Sequence, residues 1–288
     1  MEKLPVYQIK KFNCDSDSDA NDLYFNDFKT HLINHDFIEN SHSHNFYLLV
    51  LFTKGSGFHT IDFDTYEIQP NSLFVLKPGQ VHSWQLSEDI DGYIAFYSQE
   101  VYNVYFGSKQ IDEYSFYRDL KNSPEMILNE SQTQEISNYF NLLLEENKKN
   151  EFKKLDKLLN LLDSIHIELA RIYESLQEHN LHPNNLKIKE LEQLVYQYFK
   201  TEKLPSFYAD KMNISLKHLN RICKNVLDIT LTEFIYSKII LESKRLLSTN
   251  VMTVSEVANE LGFENYSYFT KVFKKYTNLT PQGFKKLV

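Results

Sequence analysis

The stretch VSEVANELGFENYSYFTKVFKKYTNLTPQGF, residues 254–284, predicts two short helices that meet at a glycine turn. Apolar residues recur at helical spacing before Gly262, and this glycine supplies the backbone freedom that such a turn requires. A second helix opens near Asn265, buries Phe269 and leaves Lys271 in a cationic outer row. The pattern is typical of a helix-turn-helix that enters a DNA major groove, and a generic helical hairpin is the alternative.

A degenerate upstream copy of this stretch argues against an accidental hairpin. The copies align without gaps from Leu219, which matches Phe269 at an offset of 269 − 219 = 50. Before the turn the offset falls by one, and there Asn213 takes the place of Gly262. Asparagine is the other residue that tolerates a left-handed backbone. The sequence therefore predicts two helix-turn-helix units.

Residues 186–288 resemble the DNA-binding domain of AraC/XylS-type transcription regulators, in which one helix joins two helix-turn-helix units. The segments that carry the resemblance are IILESKRLLS (239–248), VSEVANELGFENYSYFTKVFKKY (254–276) and LTPQGFKK (279–286). The first unit matches more loosely, because Cys223 stands where a bulky aromatic residue is expected.

The resemblance places the candidate DNA contacts on the second helix of each unit: Lys217, Asn220, Arg221, Lys224, Tyr266, Ser267, Lys271 and Lys274. Arg221 and Lys271 can donate to guanine, and Asn220 can pair with adenine. Lys224 and Lys274 are predicted to contact phosphates, which position a protein without specifying a base. A solvated helix surface is the alternative for each charge.

The net charge of −8 opposes nucleic-acid binding only as an average over the chain. Residues 184–288 hold 16 Lys+Arg and 10 Asp+Glu, a net charge of +6. The remaining 15 Lys+Arg and 29 Asp+Glu (31 − 16 and 39 − 10) give residues 1–183 a net charge of −14. This asymmetry predicts that the C-terminal part alone meets DNA.

Residues 36–97 change to a period of two, which predicts short strands in a small antiparallel barrel, whereas residues 1–35 are predicted to be a solvated loop. The segments HSHNFYLLVLFTKGSGFHTID (42–62) and LFVLKPGQVHSW (73–84) resemble the cupin-like effector domain of the same family. The resemblance implies a pocket for a small-molecule effector. Its candidate lining residues are His42, His44, Tyr47, His82 and Trp84.

Cupin enzymes hold a metal in such a barrel, so His42, His44 and His82 are candidate metal ligands. The position where a cupin motif carries a glutamate reads Phe46-Tyr47-Leu48, which leaves the donor set without its carboxylate, although three histidines can bind zinc alone. We therefore expect no metal and no cofactor, and we interpret the histidines as pocket-lining or structural.

Beyond Tyr97 the pattern becomes helical. An apolar 3-4 repeat predicts a seam that faces a partner helix, through Leu155, Leu158, Leu162, Ile165, Leu169, Ile172 and Leu176. The alternative is packing against the barrel or the preceding helix, and we expect the repeat to do both. The predicted architecture is an α+β multidomain protein with a cupin-like effector domain (1–127), a helical dimerisation segment (128–178), a linker (179–185) and an all-α DNA-binding domain (186–288).

The sequence thus predicts a sequence-specific DNA-binding transcription regulator that responds to a small molecule, acts as a homodimer and has RNA polymerase as a further partner. Two alternatives stay open: a regulator controlled by a protein partner, and a metal-dependent cupin enzyme fused to a DNA-binding module. Cys14 and Cys223 form no disulfide framework, and no apolar run is long enough to cross a membrane. We therefore expect a cytoplasmic protein.

Overall fold

The computed structural model describes residues 4–13, 22–35, 40–107, 109–118, 123–177, 183–249 and 251–286. These residues form two compact units, one within residues 5–176 and the other mainly within residues 177–288. The first unit contains both β-sheets, and the second contains the helices of the two predicted helix-turn-helix units. The predicted α+β multidomain architecture is confirmed.

Within the described residues, ten strands of the first unit form two five-stranded sheets. The strands are β1 (Val6–Tyr7), β2 (Leu23–Asp27), β3 (His42–His44), β4 (Tyr47–Lys54), β5 (Gly57–Ile61), β6 (Asp64–Ile68), β7 (Ser72–Leu76), β8 (Val81–Leu86), β9 (Asp91–Tyr97) and β10 (Glu125–Ile127). The first sheet has the order β1-β3-β8-β5-β6, and the second has the order β10-β7-β4-β9-β2. Neighbouring strands are antiparallel except β1 and β3.

The helices of this unit are α1 (Phe28–Asn34), α2 (Gln99–Phe106), α3 (Ser115–Arg118), α4 (Glu130–Asn147) and α5 (Lys154–Gln177). The prediction of a solvated loop before residue 36 is wrong for residues 6–7 and 23–34, which form β1, β2 and α1. Asp27 caps α1 by accepting a hydrogen bond from the Thr30 backbone N–H at 2.8 Å. Phe28 is fully buried beyond that cap.

Strand β4 is buried on both faces, as its sequence predicts. Leu48, Val50 and Phe52 point between the two sheets, where they join the barrel core. The alternate residues Leu49 and Leu51 point to the opposite face and join a second core that includes residues of α2–α5. Because successive side chains of a strand point to opposite faces, the second sheet divides the unit into a barrel interior and a helical layer.

The apolar repeat of α5 is buried inside one protomer. Leu158, Leu162, Ile165 and Leu169 all lie in the core of the helical layer, and each is at most 4% exposed. These four side chains are covered by the same chain, which is the packing inside the chain that the repeat also predicts. Leu155, at the start of the seam, is 40% exposed, and a dimer contact through the seam stays a prediction. Helices α4 and α5 belong to the same compact unit as the barrel rather than to a separate segment.

The C-terminal unit consists of α6 (Pro183–Tyr198), α7 (Pro205–Lys211), α8 (Leu216–Leu227), α9 (Leu231–Ser248), α10 (Val254–Glu260), α11 (Tyr266–Thr277) and α12 (Pro281–Lys285). Helix α6 begins three residues before the predicted start of the domain, because proline is compatible with the first position of a helix. Helix α9 contacts α6, α7, α8, α10, α11 and α12, which makes it the central element of this unit.

The two helix-turn-helix units repeat in backbone detail. Asn213 and Gly262 have φ values of 52° and 69°, so both turns use the left-handed conformation that the aligned sequences predict. Helices α8 and α11 have 12 residues each and are followed by the C-cap residues Asp228 and Asn278, which are also left-handed. The predicted duplication is therefore confirmed.

Replacing Leu162 by alanine is expected to lower the free energy of unfolding of the first unit by about 2–5 kcal/mol, because the change leaves a cavity in a closed core. The matched control is Leu155→Ala, since Leu155 on the same helix is 40% exposed and should cost much less. Urea titration of both variants checks this expectation. A Leu162→Ala variant with unchanged stability but a different sedimentation coefficient would instead place the buried part of the seam at an interface between subunits.

Candidate DNA-binding interface and effector site

Helices α8 and α11 expose most of the predicted DNA contacts. Their apolar residues Leu219, Ile222, Phe269 and Phe273 are buried in the core of the C-terminal unit. Residues at the intervening helical positions are directed outward. The exposed predicted contacts are Lys217, Arg221, Lys224, Tyr266, Ser267, Lys271 and Lys274.

Asn220 differs from the other predicted contacts. Its side chain is half-buried, and its Oδ1 accepts a hydrogen bond from the Leu231 backbone N–H at 3.0 Å. This hydrogen bond holds the first turn of α9 beside α8 and gives the Asn220 side chain a structural role. An amide oxygen has a second lone pair, so the interpretation of Asn220 as an adenine reader stays a prediction.

A groove of about 420 Å³ lies beside the N-terminus of α11. It is lined by Lys203, Gly262, Phe263, Glu264, Asn265, Ser267, Tyr268 and Lys271. Lys203 and Tyr268 were not among the predicted contacts. The Lys203 Nζ donates to the carbonyl oxygens of Lys200 and Gly262, each at 2.9 Å, and burial lowers the pKa of Lys203.

The hydroxyl of Tyr268 contacts α9, the central helix of this unit. Its hydroxyl lies 3.1 Å from the hydroxyl of Tyr236 on α9, while 51% of its surface is exposed. The Tyr236 ring in turn stacks on Tyr276 with centroids 5.6 Å apart. The sequence offered one signal for Tyr268, its place in the first turn of the recognition helix beside Ser267.

The turn of the second unit requires glycine. A Cβ atom on Gly262 would lie 1.8 Å from the Lys200 carbonyl oxygen, closer than any side chain allows. Residue Asn213 carries a Cβ at the equivalent left-handed position of the first unit. The two turns therefore differ in one respect: the Lys200 backbone lies too close to Gly262 for a side chain to fit there.

The barrel interior brings the predicted histidines together. His42 and His82 have ring centroids 4.3 Å apart, and those of His44 and His82 are 5.1 Å apart. His59 joins them, with its Nε2 3.0 Å from the Nδ1 of His82. The name imidazole cluster is used here for five buried side chains: His31, His42, His44, His59 and His82.

Trp84 contacts this cluster, with its ring 5.0 Å from that of His82 and 5.1 Å from that of His59. His31 and His59 were missed from the sequence. His59 was detectable, because it stands at an alternate position of a predicted strand, whereas His31 lies in a segment that was predicted to be a loop.

Tyr47 is not part of the barrel interior. It packs in the helical layer, where its ring stacks on Tyr97 at 5.7 Å and meets Tyr117 at 4.9 Å. The prediction that it lines the effector pocket is wrong. The strand periodicity explains the error. Phe46 and Leu48 face the barrel interior, so the side chain of Tyr47 between them points to the opposite face of the strand.

A second buried polar network links β9 to α5 in the helical layer. The Tyr97 hydroxyl donates to His166 Nε2 at 2.8 Å, and His166 Nδ1 donates to the Leu162 carbonyl oxygen at 2.8 Å. Asp163, the residue after Leu162 on the same helix, accepts hydrogen bonds from Tyr102, Tyr114 and Lys109. These bonds fix the α5 helix on the sheet.

Burial holds the imidazole cluster in its neutral form. Desolvation, reinforced by neighbouring histidines, lowers the pKa of His31 and of His44 to about 3 and lowers those of His59 and His82 well below the usual range. The pKa of His42 is lowered mainly by burial. Among the described residues, no group of three or more His, Cys, Asp or Glu side chains is placed to hold a metal ion.

The first unit is expected to lose stability on acidification. Unfolded histidines take up protons below about pH 6.5, whereas His31 and His44 resist protonation until about pH 3. Their contribution to stability is complete above about pH 6.5 and is lost as the pH falls towards about 3, which at pH 5 amounts to about 2 kcal/mol per histidine. Urea unfolding followed by the fluorescence of Trp84, the single tryptophan, measures this loss.

The control for this pH dependence is the fragment 184–288, which contains only His218 among the ten histidines of the chain. Its unfolding, followed by circular dichroism, should change much less over the same range. Equal losses in the two units, or no loss in the first, would contradict the assignment of the effect to the buried histidines of the first unit, which are the imidazole cluster and His166.

Comparison with known proteins agrees with both units. A family model described as an AraC-like ligand-binding domain matches residues 28–182, and one described as a helix-turn-helix domain matches residues 208–287. The HTH-type transcriptional activator RhaR of Cronobacter sakazakii is 22% identical over 255 residues, which cover 85% of this chain and 86% of the relative.

The arabinose operon regulatory protein of Escherichia coli is 22% identical over 250 residues, covering 83% of this chain and 80% of its own. The structure of ToxT from Vibrio cholerae covers 93% of this chain and 99% of its own, with 14% identity and a TM-score of 0.40. The two relatives are named as a transcriptional activator and as an operon regulatory protein. Because the ligand-binding model alone covers more than half of the chain, this protein belongs to the AraC-like family of transcription regulators, which combine an effector-binding domain with a helix-turn-helix DNA-binding domain.

Proposed function

We propose that α8 and α11 enter successive major-groove segments of one duplex, and that a small molecule bound in the barrel changes how tightly the protein holds this DNA. The duplication of the two units is the observation that carries the first part. Two helices of equal length expose Arg221 and Lys271 at matched positions, and likewise Lys224 and Lys274. Helix α9 is about 27 Å long, which with its flanking turns suits recognition helices about one DNA turn, or 34 Å, apart.

Base reading is proposed for Lys217, Arg221, Tyr266, Ser267 and Lys271, and phosphate contact for Lys224 and Lys274. A guanidinium or ammonium group in a major groove donates to guanine, and an aromatic edge can contact a thymine methyl group. Lys203 is added as a residue that braces the second turn, since its Nζ joins the backbones of Lys200 and Gly262.

Arg221→Ala and Lys271→Ala are each expected to weaken binding to a site selected from random DNA by about 1–3 kcal/mol and to relax preference at one base position. The matched controls, Lys224→Ala and Lys274→Ala, should weaken selected and random DNA equally. Titration of the four variants on both DNAs separates the roles. Equal losses on the two DNAs for the first pair would make them phosphate contacts.

The effector site is proposed to lie in the barrel interior, between His42, His44, His82 and Trp84. The match of residues 28–182 to a ligand-binding domain supports this proposal. A second support is the convergence of these four side chains from β3 and β8.

A homodimer is proposed with a contact at the connection between α4 and α5 and at the exposed start of the α5 seam. Phe152, in the connection between α4 and α5, is 92% exposed, and the nearby Leu155 is also exposed. Exposed aromatic residues of this kind favour protein interfaces. The DNA-bound protein is further proposed to act on RNA polymerase in the cytoplasm. Within the described residues, no helix is long and apolar enough to span a membrane.

The fragment 184–288 is expected to bind DNA alone, with an affinity that falls steeply with salt because its cations displace condensed counterions. The full chain should gain only on DNA with paired sites, where dimerisation can raise avidity by about 10²–10⁴. Titrations on one-site and two-site DNA at two salt concentrations measure both effects. If residues 1–183 bound DNA with this salt dependence and the fragment did not, the division of roles would be wrong.

A further inference from the structure

The groove beside the first turn of α11 has one lining residue that lies far from the recognition helix in sequence. Lys203 belongs to the connection between α6 and α7, 59 residues before Gly262, and it lines the groove together with Ser267 and Tyr268. The interpretation of Lys203 as a brace for the turn accounts for its two hydrogen bonds. It does not account for the charge that the side chain brings to the groove.

The fold holds the Lys203 ammonium group in one place. Its Nζ donates hydrogen bonds to the carbonyl oxygens of Lys200 and Gly262, each at 2.9 Å, and lies 4.8 Å from the ring centroid of Phe263. Gly262 leaves the space for this group, because a Cβ atom at that position would lie 3.0 Å from the Nζ. The charge is therefore positioned before any ligand binds.

The charge of Lys203 has no compensating carboxylate. Among the described residues, no Asp or Glu forms an ion pair with its Nζ, whereas the neighbouring Lys200 pairs with Glu260. The two carbonyls use two of the three N–H bonds of the ammonium group, so the third is available to a further acceptor. Burial also lowers the pKa of Lys203, because the charged group has lost part of its hydration. An anion in the groove would meet both the third donor and the charge.

Tyr268 and Ser267 add hydroxyl groups to the same lining. The Tyr268 ring centroid lies 5.9 Å from that of Phe263, and the Tyr268 hydroxyl lies 3.1 Å from the hydroxyl of Tyr236. A phenol hydroxyl can both donate and accept, so this contact leaves Tyr268 the capacity for one more hydrogen bond. The groove thus combines an ammonium group with two hydroxyl groups.

This set of groups suits a phosphate of the DNA backbone. Phosphate oxygens are contacted mainly by Arg and Lys side chains, by the hydroxyl groups of Ser, Thr and Tyr and by backbone N–H groups. A lysine binds a phosphate as a point charge, which needs no fixed orientation of the ligand. A helix in the major groove lies between the two backbones that border the groove, so a cation beside its first turn is placed for the backbone rather than for a base edge.

The net charge of the lining is small, so the position of the charge matters more than its sum. Lys203 and Lys271 contribute two positive charges and Glu264 contributes one negative charge, a net of +1 (2 − 1). Glu264 is exposed and forms no ion pair within the part of the chain that the structure describes. Water and salt screen an exposed charge of this kind. Since Lys271 is assigned to base reading, the cation left for a phosphate is Lys203.

We propose that this groove is a binding site for one phosphate of the DNA backbone, which the Lys203 ammonium group contacts while α11 reads the adjacent bases. The inference rests on the proposed DNA-binding function and adds to it a contact from outside both recognition helices. Lys203 then has two roles, because the ammonium group that braces the turn of the second unit also meets the duplex.

The salt dependence of DNA binding by the full chain separates the phosphate contact from the brace. Lys203→Met removes the charge and keeps an unbranched stem over Phe263. It should weaken binding to selected and random DNA equally, about fivefold to tenfold at about 0.1 M salt, and reduce the slope of log Kd against log salt by about 0.9. Lys203→Arg keeps the charge and should keep the slope. The matched control is Lys200→Met, which should change the slope much less because Lys200 is paired with Glu260.

Neutral methylphosphonate groups, placed one at a time along the selected DNA, identify the phosphate that is contacted. At one position the replacement should weaken binding of the unmodified protein about as much as Lys203→Met does, and it should cost the Lys203→Met protein nothing further. Such non-additivity is the sign of a direct contact. Inorganic phosphate is the probe for a free-anion site, and calorimetry should detect no binding of it to the protein without DNA.

An unchanged salt slope in Lys203→Met would overturn the proposal even if binding were weaker, because Lys203 would then be a brace alone. Equal slope changes in Lys203→Met and Lys200→Met, additive losses at every methylphosphonate position, or tight binding of inorganic phosphate would overturn it as well. If circular dichroism shows that Lys203→Met does not fold, Lys203→Gln, which keeps an uncharged donor for the carbonyls, takes its place. Failure of the unmodified chain to bind DNA would instead contradict the proposed function.

Discussion

The burial of α9 is the constraint on which the C-terminal unit depends. Both helix-turn-helix units pack on this one helix, so its length fixes the spacing between the two recognition helices. Eleven of its 18 residues are buried, and they include two cations, Lys238 and Arg245. The Lys238 Nζ lies 5.2 Å from the ring centroids of Tyr196 and Phe199 and 3.8 Å from the Glu242 carboxylate. These contacts compensate part of the cost of removing a charge from water.

In the first unit, the second β-sheet separates the barrel interior from the helical layer. One face of β4 covers the imidazole cluster and the other face supports α5, so a single strand borders both the proposed effector site and the helical layer. On the helical side the polar groups are paired, as in the chain from Tyr97 through His166 to the Leu162 carbonyl. On the barrel side several buried nitrogen atoms of the described residues have no hydrogen-bond partner.

Sequence periodicity was sufficient for the duplicated helices, because a left-handed turn residue and an exposed cation recur at a constant offset. It also located β4, β7 and three of the clustered histidines. It failed where two environments share one pattern. The leucine repeat of α5 has the same spacing whether it packs on a partner helix or on the sheet of its own chain. Tyr47 and its neighbours are all apolar or aromatic, so the pattern does not tell which of them faces the barrel interior. Asn220 could not be predicted as a cap, because its partner at Leu231 belongs to the next helix.

The central claim is that one C-terminal unit reads two major-groove segments on one face of a duplex. Footprinting of the fragment 184–288 on a selected site measures this most directly. We predict two protected segments about one helical turn, or 10 base pairs, apart, and loss of one of them when about 5 base pairs are inserted between the segments. A single protected segment, or a footprint that tolerates the insertion, would contradict the account.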